Sequence, residues 1–207
     1  EGLFVYGKIA YTDDNGNTTY LKDHNGRYTL DLRDAVGKFG ATDGDKWLAN
    51  ADSRLENGDD NSGWMFVKYP LYSDNETGQL ESDYCEIRLP EIIYSLAECK
   101  LRQGDATTAA RLLNEVRKRN YPSTSWNTAL YAPEGTAVLD MKEMLNEWGR
   151  EFFAEGRRRI DLIRFDKFLN AWWDKDADID NHTLIFPLHR DILVANKHLK
   201  QNPGYDK

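Results

Sequence analysis

The segment that most constrains this fold interleaves acids, arginines and aromatics at helical spacing: EWGREFFAEGRRRIDLIRF, residues 147–165. Side chains three or four residues apart share one face of a helix, so Glu147 shares a face with Glu151 and can meet Arg150. By the same spacing, Asp161 can meet Arg157, Arg158 or Arg164. Arginine binds carboxylates through a bidentate fork, and such pairs tolerate partial burial better than lysine pairs do. The segment therefore predicts two helices that meet at Gly156 and are held together by ion pairs.

The sequence changes character near residue 85. Residues 1–84 are rich in glycine, asparagine, aspartate and aromatic residues, and they contain short alternating runs. The run GKIAYTDDNGNTTYLKD (7–23) predicts a β-hairpin, because Asn15-Gly16 accepts the positive φ angles of a tight turn. Segments 28–32 and 64–72 are two further candidate strands, and the proline at position 70 confines the second to a sheet edge.

From Glu86 onward the apolar residues follow the 3.6-residue period of a helix. Gly104 and Asp105 predict the end of one helix and the cap of the next, which together form a hairpin of the tetratricopeptide kind. A long third helix contains Gly149, which costs about 1 kcal/mol relative to alanine and therefore predicts a closely packed neighbour. A last helix is predicted over residues 158–173. The inward faces are predicted to carry Leu89, Ile92, Ile93, Leu96, Ala97 and Leu101, then Ala106, Ala109, Ala110, Leu113 and Val116, then Val138, Met141, Leu145, Trp148 and Phe152.

We therefore expect a mainly α fold, with a tetratricopeptide-like helical hairpin, long helices, irregular loops and minor β-hairpin structure. Residues 1–84 are expected to form a loop- and hairpin-rich segment and residues 85–207 a helical region, together one structural unit. Cys85 and Cys99 form neither a disulfide framework nor a CxxC motif, so buried free thiols are predicted.

Several motifs of this chain resemble the C-terminal region of the SusD/RagB family. The helical hairpin sequence and the terminal QNPGY (201–205) match it, as does a Leu-x-Phe-Pro turn at 184–187. Trp148, Arg159, His189 and Lys197 depart from its usual residues. The motif positions shared with the family are Glu147, Glu151, Glu155, Gly156, Arg158, Asp161, Leu162, Arg164, Phe165 and Asn196, with a looser match at Asp52, Arg54, Lys68 and Tyr69.

This resemblance implies noncatalytic capture of an oligosaccharide or other nutrient polymer at the cell surface. Family members deliver their cargo to a TonB-dependent outer-membrane transporter and are lipid-anchored in the outer membrane. The resemblance makes the motif residues structural, namely Glu147, Glu151, Glu155, Arg158, Asp161 and Arg164, and it implies no cofactor. Because family members are longer and begin with a helical region, we expect this chain to be a C-terminal fragment, without the signal or lipid-anchor cysteine.

Aromatic side chains in polar loops are the candidate ligand-binding residues. Sugars stack their C–H faces on exposed aromatic rings, while neighbouring amides and carboxylates bind the hydroxyls. The loop aromatics that fit this chemistry are Trp47, Trp64, Trp126 and Tyr131.

Other function classes receive less support from the sequence. The net charge of −8 argues against a nucleic-acid surface. A glycosidase needs one protonated and one ionised carboxyl group, whereas Glu147, Glu151 and Glu155 lie beside arginines that would hold all three ionised. The four histidines lack zinc-site spacing, and the acidic run at 174–180 lacks the glycine and glutamate of an EF-hand, which leaves calcium as an alternative to a solvated loop. A transporter-docking scaffold and a peptide-binding protein remain the rival functions.

Overall fold

The computed structural model describes residues 4–22, 29–32, 65–66, 68, 84–172 and 175–205. The chain divides into two compact units, Glu1–Asp83 and Tyr84–Lys207. The prediction that they act as one structural unit within a longer protein stays a prediction. None of the helices in the described ranges combines the length and apolar character needed to cross a bilayer.

The first unit contains the predicted hairpin. Strands β2 (Ala10–Thr12) and β3 (Thr18–Tyr20) pair antiparallel, with Ala10 opposite Tyr20. The Asp13 carboxylate accepts the backbone N–H groups of Asn15 (3.0 Å) and Asn17 (2.8 Å). Gly16 has φ +80°, a conformation that a side chain would strain, which explains glycine at the turn.

A second strand pair joins β1 (Phe4–Val5) to β4 (Met65–Phe66), with Phe4 opposite Phe66. The predicted strand over 64–72 is thus represented by β4, and most of its remainder lies outside the described residues. The predicted pairing around residues 28–32 takes the form of isolated bridges from Lys22 to Thr29 and from Gly7 to Leu32.

The second unit is helical, which confirms the predicted fold class. Its hairpin consists of α1 (Leu89–Arg102) and α2 (Ala106–Arg117). Gly104, at φ +87°, ends the first helix, and the Asp105 side chain accepts the N–H of Thr108 at 3.0 Å, as expected of a cap. The other helices in the described ranges are α3 (Trp126–Ala129), α4 (Met141–Glu151), α5 (Arg158–Arg164) and α6 (Arg190–Ala195).

The predicted last helix over 158–173 is wrong in length, because α5 ends at Arg164. Asp166 has φ +55° and donates its N–H to the Ile163 carbonyl, while the N–H of Lys167 donates to the Leu162 carbonyl. These two bonds form a Schellman-type ending built on aspartate. Aspartate tolerates the left-handed conformation better than most residues, so the helix stops without a glycine signal.

The core of this unit lies between α1, α2 and α4. Tyr94, Trp148 and Phe152 meet there, with ring centroids 5.1–5.5 Å apart. The predicted stripe on α1 is partly wrong, because the helix turns Tyr94, Ala97 and Glu98 inward. Residues of the predicted inward faces that are instead exposed are Leu89, Ile92, Leu96, Ala106 and Val138. Cys85 and Cys99 are free, as predicted, but exposed rather than buried.

Candidate functional site

Arg88, which precedes α1, ties that helix to the end of α4. Its Nη1 lies 2.5 Å from Glu151, and its Nε and Nη2 donate to both oxygens of Glu155 at 2.8 and 2.9 Å. Its guanidinium also lies 4.2 Å from the centroid of the Phe152 ring. Glu151 accepts a second arginine, Arg119. The two motif glutamates are therefore joined to Arg88, which lies 63 and 67 positions earlier in the sequence.

Glu147 lies inside the core, with 3% of its surface exposed. It accepts hydrogen bonds from the Tyr94 hydroxyl (2.9 Å), Arg117 Nη1 (2.5 Å) and Arg150 Nε (2.8 Å). Burial raises the pKa of this carboxyl group, but the charges and hydrogen bonds of the two arginines outweigh it, so the pKa lies below its ordinary value. Burial is also the main cause that raises the pKa of Tyr94.

Glu98 is the acid that the sequence did not single out. It is 4% exposed and accepts hydrogen bonds from Trp148 Nε1 (2.9 Å), from Arg164 (2.7 and 2.9 Å) and from Arg102 (2.9 Å). Its pKa is lowered, because these hydrogen bonds outweigh the effect of burial. A glutamate on the inward face of α1, one turn after Tyr94, was the available signal.

Asp161 is fully buried and pairs with two of its three predicted partners. Arg157 donates to it at 3.0 Å and Arg164 at 3.3 Å. Arg157 also pairs with Glu91 at 2.6 Å and stacks on Trp148, 4.0 Å from the ring centroid. These contacts fix α5 against α1 and α4.

This ion-pair network suits a structural role, because each acid in it is paired with at least one arginine. Glu147 and Glu98 have lowered pKa values, so neither is available as a general acid near neutral pH. Within the described ranges, no group of three or more acidic, histidine or cysteine residues could hold a metal ion.

Arg158, the third predicted partner of Asp161, has a different role. Its Nη1 donates to the Leu145 carbonyl of α4 at 2.7 Å. The guanidinium occupies the space that a side chain at Gly149 would need, since a Cβ there would lie 2.8 Å from Nη1. The close neighbour predicted from this glycine is therefore the head of Arg158.

Replacing Gly149 by alanine is expected to lower stability by roughly 1 kcal/mol, despite a better helix former in α4. The substitution gains about 1 kcal/mol of helix propensity but displaces a charged hydrogen bond worth about 1.5–3 kcal/mol. Urea denaturation measures the change. In an Arg158→Gln background the clash is absent, so the same Gly149→Ala change should stabilise; destabilisation in both backgrounds would contradict this account.

Side chains of the terminal QNPGY segment bind the backbone of the turn at residues 185–188. Gln201 accepts the N–H of Leu188 (2.8 Å) and donates to its carbonyl (2.9 Å). Asn202 donates to the Phe186 carbonyl, and the Tyr205 hydroxyl to that of Ile185. Gly204 has φ +89°, and a Cβ there would lie 2.5 Å from His182 Cβ, so both conformation and space require glycine.

The predicted ligand aromatics fall into three situations. Trp47 and Trp64 lie outside the described residues, as do Asp52, Arg54 and Tyr69 of the looser match. Trp126 is half-buried, donates its Nε1 to the Tyr121 carbonyl at 3.0 Å, and has Lys118 Nζ 5.6 Å from its ring centroid.

Tyr131 is fully buried. Its ring lies 4.6 Å from the Arg117 guanidinium, and its hydroxyl donates to Glu143 at 2.9 Å. Burial raises its pKa. This position argues against a stacking role for Tyr131 and leaves Trp126 as the candidate within the described part of the chain.

Comparisons with known proteins identify relatives of this chain. The model of the SusD family matches residues 11–205. The starch-binding protein SusD of Bacteroides thetaiotaomicron is 32% identical over an alignment of 133 residues, and the match covers 60% of this chain and 22% of that protein. The solved structure of B. fragilis NanU aligns with a TM-score of 0.49 and 20% identity, over 97% of this chain and 35% of its own. This chain thus spans about a fifth of the curated relative's length, and it belongs to the SusD family.

Proposed function

We propose that this chain is part of a cell-surface protein that captures an oligosaccharide or other nutrient polymer and delivers it to a TonB-dependent outer-membrane transporter. The observation that carries the proposal is the family match over residues 11–205, supported by a relative named for starch binding. In the full-length protein, a lipid anchor would hold it at the outer membrane.

The capture is proposed to be noncatalytic and to need no cofactor. The motif carboxylates support this, because arginines already occupy Glu147, Glu151, Glu155 and Asp161. A glycosidase would need an acid pair facing a bond across a cleft, with one member protonated.

Trp126 is the proposed stacking residue within the described ranges, with Trp47 and Trp64 as further candidates. The hydrogen bond from its Nε1 to Tyr121 fixes the ring edge. Exposed Asn127 and Thr128 follow it in the chain and could bind sugar hydroxyls. A ring held in place at the start of the short helix α3, next to exposed polar residues, is a suitable platform for a sugar face.

Replacing Trp126 by alanine is expected to weaken glycan binding about threefold to tenfold, because the ring–sugar contact is lost. Isothermal titration of the chain against soluble polysaccharides, starting with starch, measures the change. Trp172→Ala, which removes an exposed tryptophan elsewhere, is the matched control. Trp47→Ala and Trp64→Ala test the other two candidates in the same assay. Unchanged affinity in all three would remove glycan stacking from these residues.

A docking scaffold is the second candidate, and one observation favours it. Leu89, Ile92 and Leu96 lie on successive turns of α1 and are 71%, 59% and 49% exposed. An exposed apolar ridge on a helix is typical of an interaction surface. The transporter would be its partner. A folded chain that binds no glycan would favour this function, whereas binding in a parallel peptide panel would favour peptide cargo.

A further inference from the structure

A cavity of about 620 Å³ lies where α4 passes into α5. Its apolar wall includes Trp148, Phe152 and Phe153. Among the described residues that line it, every charged side chain is an arginine: Arg150, Arg157, Arg158 and Arg159. This lining is unusual in a chain whose net charge is −8. The cavity therefore combines an aromatic wall with a local excess of positive charge.

The neighbouring cavity, of about 410 Å³, has a different composition. Glu86, Glu91 and Glu155 line it together with Arg88 and Arg157, so acids and arginines are mixed there. An anion entering that second cavity would meet carboxylates. Of these two cavities, the first is the one whose described wall presents arginines to an anion and contains no acidic side chain.

Two of the four arginines in the first cavity are already paired. Arg150 binds Glu143 and Glu147, and Arg157 binds Glu91 and Asp161. Each therefore has much of its charge balanced by the protein.

Within the described ranges, the other two arginines donate their hydrogen bonds to carbonyl oxygens and contact aromatic rings. Arg158 donates to Leu145, and Arg159 to Thr183 (2.9 Å) and Leu184 (3.0 Å). No described residue places a carboxylate within ion-pair distance of Arg158 or Arg159. A guanidinium has five N–H donors, so Arg158 retains donors for a ligand beyond its bond to Leu145.

The titration behaviour of these arginines shows the same difference. Burial lowers the pKa of Arg158, and the charge of Asp161 offsets this only in part. Burial also disfavours the charged forms of Arg150 and Arg157, but their carboxylate partners outweigh it and raise their pKa values. The charge of Arg158 is thus partly removed from water and only partly balanced by Asp161.

We infer that this cavity binds the carboxylate of an acidic sugar, with Arg158 as its principal donor and Phe153 as a wall for the sugar ring. A guanidinium fork matches a planar carboxylate with two parallel hydrogen bonds. Phe153 is 44% exposed and so is accessible from solvent. The inference rests on the proposed glycan capture and assigns to it a class of ligand, uronate-containing oligosaccharides.

The test compares an oligogalacturonate with its methyl ester, which keeps the sugar chain but removes the charge. The chain is expected to bind the free acid at least about tenfold more tightly, since a hydrogen bond between charged groups is lost in the ester. Arg158→Gln should abolish this preference. Asn146→Asp, which adds a carboxylate to the cavity wall at nearly constant shape, should also abolish it while leaving Arg158 in place.

Arg111→Gln is the matched control, because it removes one exposed arginine of α2 from outside the cavity. Circular dichroism and thermal melting establish that each variant is folded. Equal affinity for acid and ester, or a preference that survives in both folded cavity variants, would overturn the inference. Tighter binding of a sulfated oligosaccharide that contains no uronic acid, relative to the oligogalacturonate, would overturn the assignment of the cavity to carboxylates. Trp126-dependent binding of neutral glycans without acid preference would refute this inference alone, whereas no glycan binding at all would refute the proposed capture as well.

Discussion

Replacing Glu147 by glutamine is expected to lower the free energy of unfolding by about 3–5 kcal/mol, the range for breaking a buried ion pair from one side. The variant keeps the volume of the side chain but leaves Arg117, which is 8% exposed, without its anion inside the core. The Tyr94 hydroxyl and Arg150 would lose their charged acceptor at the same time.

Urea denaturation at pH 7 measures this loss. Glu115→Gln is the matched control, because the side chain of Glu115 is 68% exposed and pairs with Lys118 at 3.3 Å on the surface. Such a surface change should cost at most about 0.5 kcal/mol. Similar losses in the two variants would refute the central place of Glu147 in the network.

The same variant should change the response to acid. Because the pKa of Glu147 is lowered in the folded state, its stabilising contribution is complete above the ordinary glutamate pKa of about 4.3 and is lost as pH falls through the folded value. Between pH 5 and pH 3 the wild-type chain should therefore lose more stability than Glu147→Gln. Urea denaturation at each pH gives the free energy of unfolding of both proteins. If the two curves of this free energy against pH are parallel, Glu147 does not carry this pH dependence. Glu98, whose pKa is also lowered, should preserve part of the acid sensitivity in the variant.

Replacing Arg88 by methionine is expected to cost about 3 kcal/mol, the lower end of the range for a broken buried pair, since Glu151 keeps Arg119. Methionine is unbranched and can still pack on Phe152, but it cannot pair with Glu155, whose side chain is only 7% exposed. The junction between α1 and the end of α4 would then hold a buried carboxylate without this arginine.

The comparison for this prediction is Arg102→Met, the same substitution at the other end of α1. Arg102 is 45% exposed in its side chain, and its partner Glu98 keeps Arg164. We expect a loss below about 1 kcal/mol for Arg102→Met by urea denaturation. If both variants lose the same free energy, the Arg88 junction contributes no more than a surface pair.

Local signals in the sequence predicted the elements of this fold well. The turn at Gly16 and the helix cap at Asp105 depend on neighbours within a few residues, and both were placed correctly. The end of α5 was not, because aspartate rather than glycine adopts the left-handed conformation there. Helical period alone also could not decide which of two apolar faces of α1 turns inward, since that choice depends on the helices that pack against it.

The sequence predicted that ion pairs join these helices, but it identified only some of the residues that form the pairs. Helical spacing found the pair of Arg157 with Asp161, whereas Arg88 and Arg117 come from segments 30 or more residues away from their partners. Spacing along one helix carries no information on such long-range pairs. Tyr131 shows the same limit, since its loop position gave no sign of its burial under Arg117.

The terminal QNPGY segment has a consequence for how the surface of this protein can diversify. The hydrogen bonds of Gln201, Asn202 and Tyr205 with residues 185–188 use main-chain atoms of those residues, so they do not depend on which side chains those residues carry. Ile185 and Phe186 are 59% and 67% exposed. Position 185 can therefore acquire new chemistry while the tail keeps its backbone in place, whereas Phe186 also stacks on the Arg159 guanidinium, 4.0 Å from its ring centroid.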